Sequence, residues 1–159
     1  MTRTTTMTLF AVLILAAMTL TVAFADSANF DERRTGAKCA GTNLDVNFRE
    51  TGLGNTPVVN YLATANGTAS YACINGGQHN PKAANKRDVN GPVSAPGSFP
   101  SSKNGSVVGN ITLNPPSAGD FSCPPGQDLV LLSATYSQVT ITDTDHNVSF
   151  TLPGTFSCP

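Results

Sequence analysis

The sequence predicts an all-β protein, an antiparallel two-sheet sandwich of immunoglobulin-like or similar Greek-key topology, with about seven to nine short strands and two disulfides. Three observations carry that expectation. Apolar residues recur at every second position in one run after another, and past the first apolar stretch a helical period is hard to find. The 14 glycines and 11 prolines of the 159-residue chain fall largely between those runs, where turns are needed. The four cysteines, Cys39, Cys73, Cys123 and Cys158, are tens of residues apart, which suits two bridges and not the close pairs of a zinc site.

The chain opens with Arg3, an apolar run from Leu9 to Val22, and Ala23-Phe24-Ala25. This is the pattern of a secretory signal peptide over residues 1–25, and the run is short for a spanning helix. Residues 26–38 are polar without a period and read as a flexible leader. Residues 39–159 then form a single domain, with room for one core and not two. The basic residues are scattered, so no electrostatic footprint for nucleic acid or an anionic membrane is present.

Within the domain, Leu44, Val46 and Phe48 alternate with Asp45, Asn47 and Arg49, a half-buried strand. The next run, VVNYLATANGTASYACIN, contains Asn66-Gly67, the favoured two-residue hairpin turn, so a hairpin is expected there with Ala65 facing Thr68 and Leu62 facing Tyr71. CINGGQHNPKAANK follows as a loop between strands. A weak strand through GPVSAPGSF leads to SVVGNITLN, where Val107, Ile111 and Leu113 share a face. PPSAGDFSCPPG is a proline-stiffened connection. In DLVLLSATYSQVTITD the apolar positions are even up to Tyr136 and odd from Val139 onward, so a β-bulge or a change of sheet is expected near Ser137-Gln138. The last strands lie in VSFTLPGTFSC. Sequence alone leaves three cysteine connectivities open; the preferred pairing is Cys73–Cys123 inside the domain with Cys39–Cys158 tying its ends.

Few residues point to chemistry. The histidines are His79 and His146. A nucleophilic site would need one of them beside a Ser and an orienting acid, and no G-x-S-x-G elbow is present. Gly76, Gly77, Gln78, His79 and Asn80 are a candidate binding loop. Asp143, Asp145 and Asn147 resemble half of a calcium loop, but the glycine and glutamate that an EF-hand requires are missing, and a hairpin turn explains them better. Tyr61, Tyr71 and Tyr136 are the candidate sugar-stacking rings. Asn66, Asn104, Asn110 and Asn147 begin Asn-x-Ser/Thr sequons, expected in or near turns, and are candidate glycosylation sites. No cofactor is expected.

Taken together, TGLGN, CINGGQHNPKAANK, NPPSAGDFSCPPGQ and VTITDT…LPGTF resemble a group of small secreted β-rich proteins of soil bacteria and fungi. The resemblance implies secretion and a β fold, and no catalytic residue. The expected function is therefore that of a secreted, non-enzymatic protein presenting loops to an extracellular polysaccharide or protein. The alternatives are a carbohydrate-binding module acting alone and, behind it, a small hydrolase or an effector or inhibitor.

Overall fold

The computed structural model describes residues 27–75 and 85–159. The signal-peptide stretch, residues 1–25, and the loop containing Gly76, Gly77, Gln78, His79 and Asn80 lie outside the described residues. Nine strands are described: β1 (Asn29–Phe30), β2 (Gly36–Ala40), β3 (Asn43–Thr51), β4 (Val58–Asn75), β5 (Lys86–Pro100), β6 (Ser106–Leu113), β7 (Gln127–Asp143), β8 (Val148–Thr151) and β9 (Thr155–Cys158). All pairings are antiparallel. In the four-stranded sheet β3 is central, with β6 on one side and β1 and β2 end to end on the other. In the five-stranded sheet the order is β5-β4-β7, and β8 and β9 share the far edge of β7. The chain crosses from β3 to β4, returns from β5 to β6 beside β3, and crosses again to β7 beside β4. That interlock is a Greek-key sandwich of the kind the turn spacing predicts.

Alternation drives the packing. Leu44, Val46 and Phe48 of β3 face Tyr61, Ala63 and Ala65 of β4 and Tyr136, Val139 and Ile141 of β7 across the interior. With no tryptophan in the chain, an aromatic cluster fills the centre. The Phe48 ring lies 4.5 Å from Tyr61 and edge-on to Phe99 at 5.4 Å, and Phe30 closes the group at 6.1 Å from Phe48. Phe30 belongs to the stretch expected to be a flexible leader. That expectation is corrected: β1 and β2 pair with β3, because burying the Phe30 ring outweighs leaving a polar segment free.

The Asn66-Gly67 hairpin is also corrected. β4 runs straight through both residues, pairing Asn66 with Pro92 and Ser137, and Gly67 with Gly91 and Tyr136. The glycine serves a close approach and not a turn. A Cβ on Gly67 would sit 2.8 Å from Cδ of Pro116, in the connection that crosses the inner face, and Tyr71 donates its hydroxyl to the Pro116 carbonyl at 2.8 Å. The weak strand through GPVSAPGSF is in fact 15 residues long. Its prolines, Pro92, Pro96 and Pro100, are spaced by four, so all three turn the same side of the backbone outward. β5 is the sheet edge, where a missing N–H costs the ladder nothing.

Both disulfides join the expected partners. Cys39–Cys158 ties β2 of one sheet to β9 of the other, and Cys73–Cys123 ties the end of β4 to the connection before β7. Among the described residues, no helix is long and apolar enough to cross a membrane.

Candidate functional site

Two features outside the apolar core carry polar chemistry. The first is the outer face of the five-stranded sheet. Even-numbered residues of β4 point outward, and each sits in a row with its partners on β5 and β7. Thr64 lies between Ser94 and Thr140, with Thr151 beyond; Thr68 lies between Asn90 and Thr135, with Ser157 beyond. Rows repeat at roughly 6.8 Å along the strands, and strands at roughly 4.8 Å. Hydrogen bonds pin the side chains within rows: Thr140 to Thr151 at 2.9 Å, Thr142 to Ser149 at 2.9 Å, and Thr68 to Asn90 at 2.7 Å. Among the paired residues of the rows from Asn60 to Ser70, Asp88 is the one charged side chain described and no aromatic ring stands there; Asp145 bonds to Asn60 at one end, and Lys86 and Arg87 share a groove with Ser70 at the other.

The bulge expected near Ser137-Gln138 falls on this face. Between Thr64↔Thr140 and Asn66↔Ser137, one residue of β4, Ala65, opposes two of β7, Gln138 and Val139. Gln138 takes φ of 53°, which shifts the inward parity from Tyr136 to Val139. The raised Gln138 borders an open groove of about 570 Å³ walled by Thr64, Asn66, Pro92, Ser94, Thr140 and Thr151. Within that lining the Asn66 amide donates to Gln138 Oε1 at 2.5 Å.

The second feature is a buried polar cluster where the ends of β3, β4 and β7 meet. Glu50 continues the inward series of β3 and is fully buried. Tyr61 donates its hydroxyl to Glu50 Oε2 at 2.7 Å, while Oε1 has no hydrogen-bond partner among the described residues. Burial, opposed by the bond from Tyr61 and helped by neighbouring Asp143, pushes the Glu50 carboxyl up to about 7. Burial, followed by Glu50, likewise pushes the Tyr61 hydroxyl far up. Asp143, also fully buried, accepts the N–H groups of Asp145 at 2.8 Å and His146 at 3.0 Å on Oδ1, and meets His146 Nδ1 with Oδ2 at 2.6 Å. The other ring nitrogen, Nε2, lies 3.4 Å from Thr56 Oγ1. Asp145 accepts from the backbone N–H of Asn60 at 2.9 Å and from its side-chain amide, which lowers its carboxyl.

The structure redistributes the sequence candidates. Tyr61 and Tyr136 are buried, and Tyr71 is half-buried with its hydroxyl tied to Pro116. The sugar-stacking assignment is therefore corrected, because two rings lie inside the core and the third packs under the connection. Tyr136 donates to the carbonyl of Thr42 at 2.8 Å, and burial pushes its hydroxyl up to about 12. Asp143, Asp145 and Asn147 do not converge as a calcium site. Asp143 and Asp145 spend their oxygens on N–H groups and His146, Asn147 occupies a left-handed turn position, and no group of three metal-ligating side chains forms among the described residues. Asn104 and Asn147 sit in turns as expected, whereas Asn66 and Asn110 lie on strands, each with its amide bonded to a neighbour. Sequence reasoning missed Glu50 and Thr56. The parity of NLDVNFRE held the signal for Glu50; no local pattern marks Thr56, which meets His146 only through the fold. Comparison with known proteins adds no relative: no family model, no curated protein and no solved structure matches the chain.

Proposed function

We propose that the chain is a secreted binding protein of the kind its motifs resemble, and that its ligand is a neutral, hydroxyl-rich polysaccharide held on the outer face of the five-stranded sheet. The observation that carries this reading is the row pattern of Thr, Ser and Asn around the bulge groove. These side chains offer both donors and acceptors, as sugar hydroxyls do. The central rows around the groove carry no charge, which disfavours anionic polymers there, since those need basic groups. Prior hydrogen bonding within rows reduces the side-chain entropy lost on binding. The two disulfides suit an oxidising extracellular compartment, in keeping with a removed leader over residues 1–25.

The test is a pull-down of the purified, oxidised chain on insoluble neutral polysaccharides, with an anionic polysaccharide as comparison. Retention on a neutral polymer is expected, with little dependence on salt. The double substitution Thr64→Lys and Thr140→Lys should lower retention at least about tenfold, since each lysine places a solvated charge in the contact. Circular dichroism of the variant should be unchanged. Absence of retention on every neutral polymer, or undiminished retention of the folded double variant, would remove this face from the function and move the search to a protein partner.

A further inference from the structure

We propose that Thr56, His146 and Asp143 form a nucleophile–base–acid relay that hydrolyses small acyl esters at the recess beside Thr56. This goes beyond the binding reading and uses none of its residues. The three groups meet in the order an acyl-transfer site requires: carboxylate to Nδ1 at 2.6 Å, then Nε2 to a hydroxyl at 3.4 Å. Geometry and role, not sequence order, identify such a relay, and hydrogen bonds of this type are often long without substrate.

A structural explanation accounts for only part of the arrangement. Asp143 Oδ1 accepts two N–H groups and so holds the turn between β7 and β8. A turn needs nothing from Oδ2, yet Oδ2 fixes the imidazole. It needs nothing from Nε2 either, yet Nε2 is aimed at a hydroxyl 90 residues away in sequence. The acid is fully buried and the ring side chain is 12% exposed, so the pair is held and shielded, while Thr56 is half-buried at the edge of a recess. Thr56 lines an open recess of about 190 Å³ together with Gly54, Asn55, Ser101, Ser102 and Lys103. That volume falls short of ordinary ligand pockets of about 300 Å³ and more, which restricts the acyl part to a short one. Lys103 gives the wall a positive charge, suited to the oxyanion that forms there.

The steps balance without an added oxidant or reductant. Thr56 Oγ1 attacks the ester carbonyl carbon while its proton passes to His146 Nε2. The tetrahedral intermediate expels the alcohol oxygen, which leaves with the proton from Nε2. Water then attacks the acyl-threonine, again giving its proton to Nε2, and the carboxylic acid departs as that proton returns to Oγ1.

The experiment uses the oxidised chain with p-nitrophenyl acetate. It follows nitrophenolate release, and peptide mass spectrometry after an acid quench locates any acetyl group. Expected are an acetyl group on Thr56 and a rate that falls roughly 100-fold in Thr56→Val and in His146→Gln. Thr56→Ser, which removes a methyl beside the attacking oxygen, should keep or raise the rate. Acetylation only on lysines, or release that persists undiminished in folded Thr56→Val, would overturn the proposal. Adduct location on the unaltered chain decides the matter even if a variant does not fold. Neither result bears on polysaccharide retention, so failure here and failure of the binding face are separable.

Discussion

Glu50 is one carboxyl with two fates. Its position was legible: in NLDVNFRE it shares parity with Leu44, Val46 and Phe48, so the alternation that predicts a strand also predicts an inward glutamate. What no local pattern shows is that Asp143, at the inward parity of β7, arrives beside it from the other sheet. The consequence is a pH dependence whose direction can be worked out. Unfolded, the Glu50 carboxyl loses its proton near 4.5; folded, it holds the proton up to about 7. Between those values the folded state binds more protons, so stability falls as pH rises from about 4.5 to about 7 and levels off above. At about 1.4 kcal/mol per pH unit, the loss is at most roughly 3–4 kcal/mol. Glu50→Gln keeps an acceptor for Tyr61 and offers an N–H to Asp143 without titrating. Thermal melts should show the unaltered chain more stable at about pH 5 than at about pH 8, and the variant nearly level across that window. Equal pH slopes for both proteins would show that Glu50 does not carry the dependence.

At the scale of elements, the strands with clean alternation were legible and the ones with glycine and proline were not. β3, β6 and the bulged β7 follow from parity alone. β4 was misread because Asn-Gly marks a turn in most contexts, and only the passage of Pro116 over Gly67 explains a glycine in mid-strand. The same logic applies to Gly109 of β6, paired with Phe48 of β3. A Cβ there would overlap the Phe48 ring, which is buried and packed against Tyr61 and Phe99. Gly109→Ala should therefore cost about 1–3 kcal/mol by overpacking, despite alanine's better strand entropy. Its neighbour Val108 is 74% exposed, and Val108→Ala should change stability by less than about 0.5 kcal/mol. Chemical denaturation of the pair checks both numbers; a Gly109→Ala protein as stable as the parent would mean that the ring and the sheet can shift apart.

For the whole molecule, the two bridges differ in what they join. Cys73–Cys123 closes a separation of 50 residues around one end of the five-stranded sheet, whereas Cys39–Cys158 closes 119 residues and links the two sheets through β2 and β9. Those edge strands are short, with five and four residues, so few ladder bonds hold them and the bridge restrains both. In the chain-entropy account, removing the outer bridge frees the unfolded chain by about 5 kcal/mol, and removing the inner one by about 4 kcal/mol. Either loss is large against the roughly 5–15 kcal/mol that keeps a domain of this size folded. The paired substitution Cys39→Ser with Cys158→Ser should thus shift the denaturation midpoint strongly downward. Because β4, β5 and β7 pair over long registers without it, the outer face of the five-stranded sheet should survive in whatever fraction stays folded. Hydrogen exchange on the double variant separates the two effects. Faster exchange confined to β1, β2 and β9 is expected in the folded fraction, while slow exchange persists along β4 and central β7. Uniform acceleration through β4 would show instead that the outer bridge holds the sandwich together as one unit.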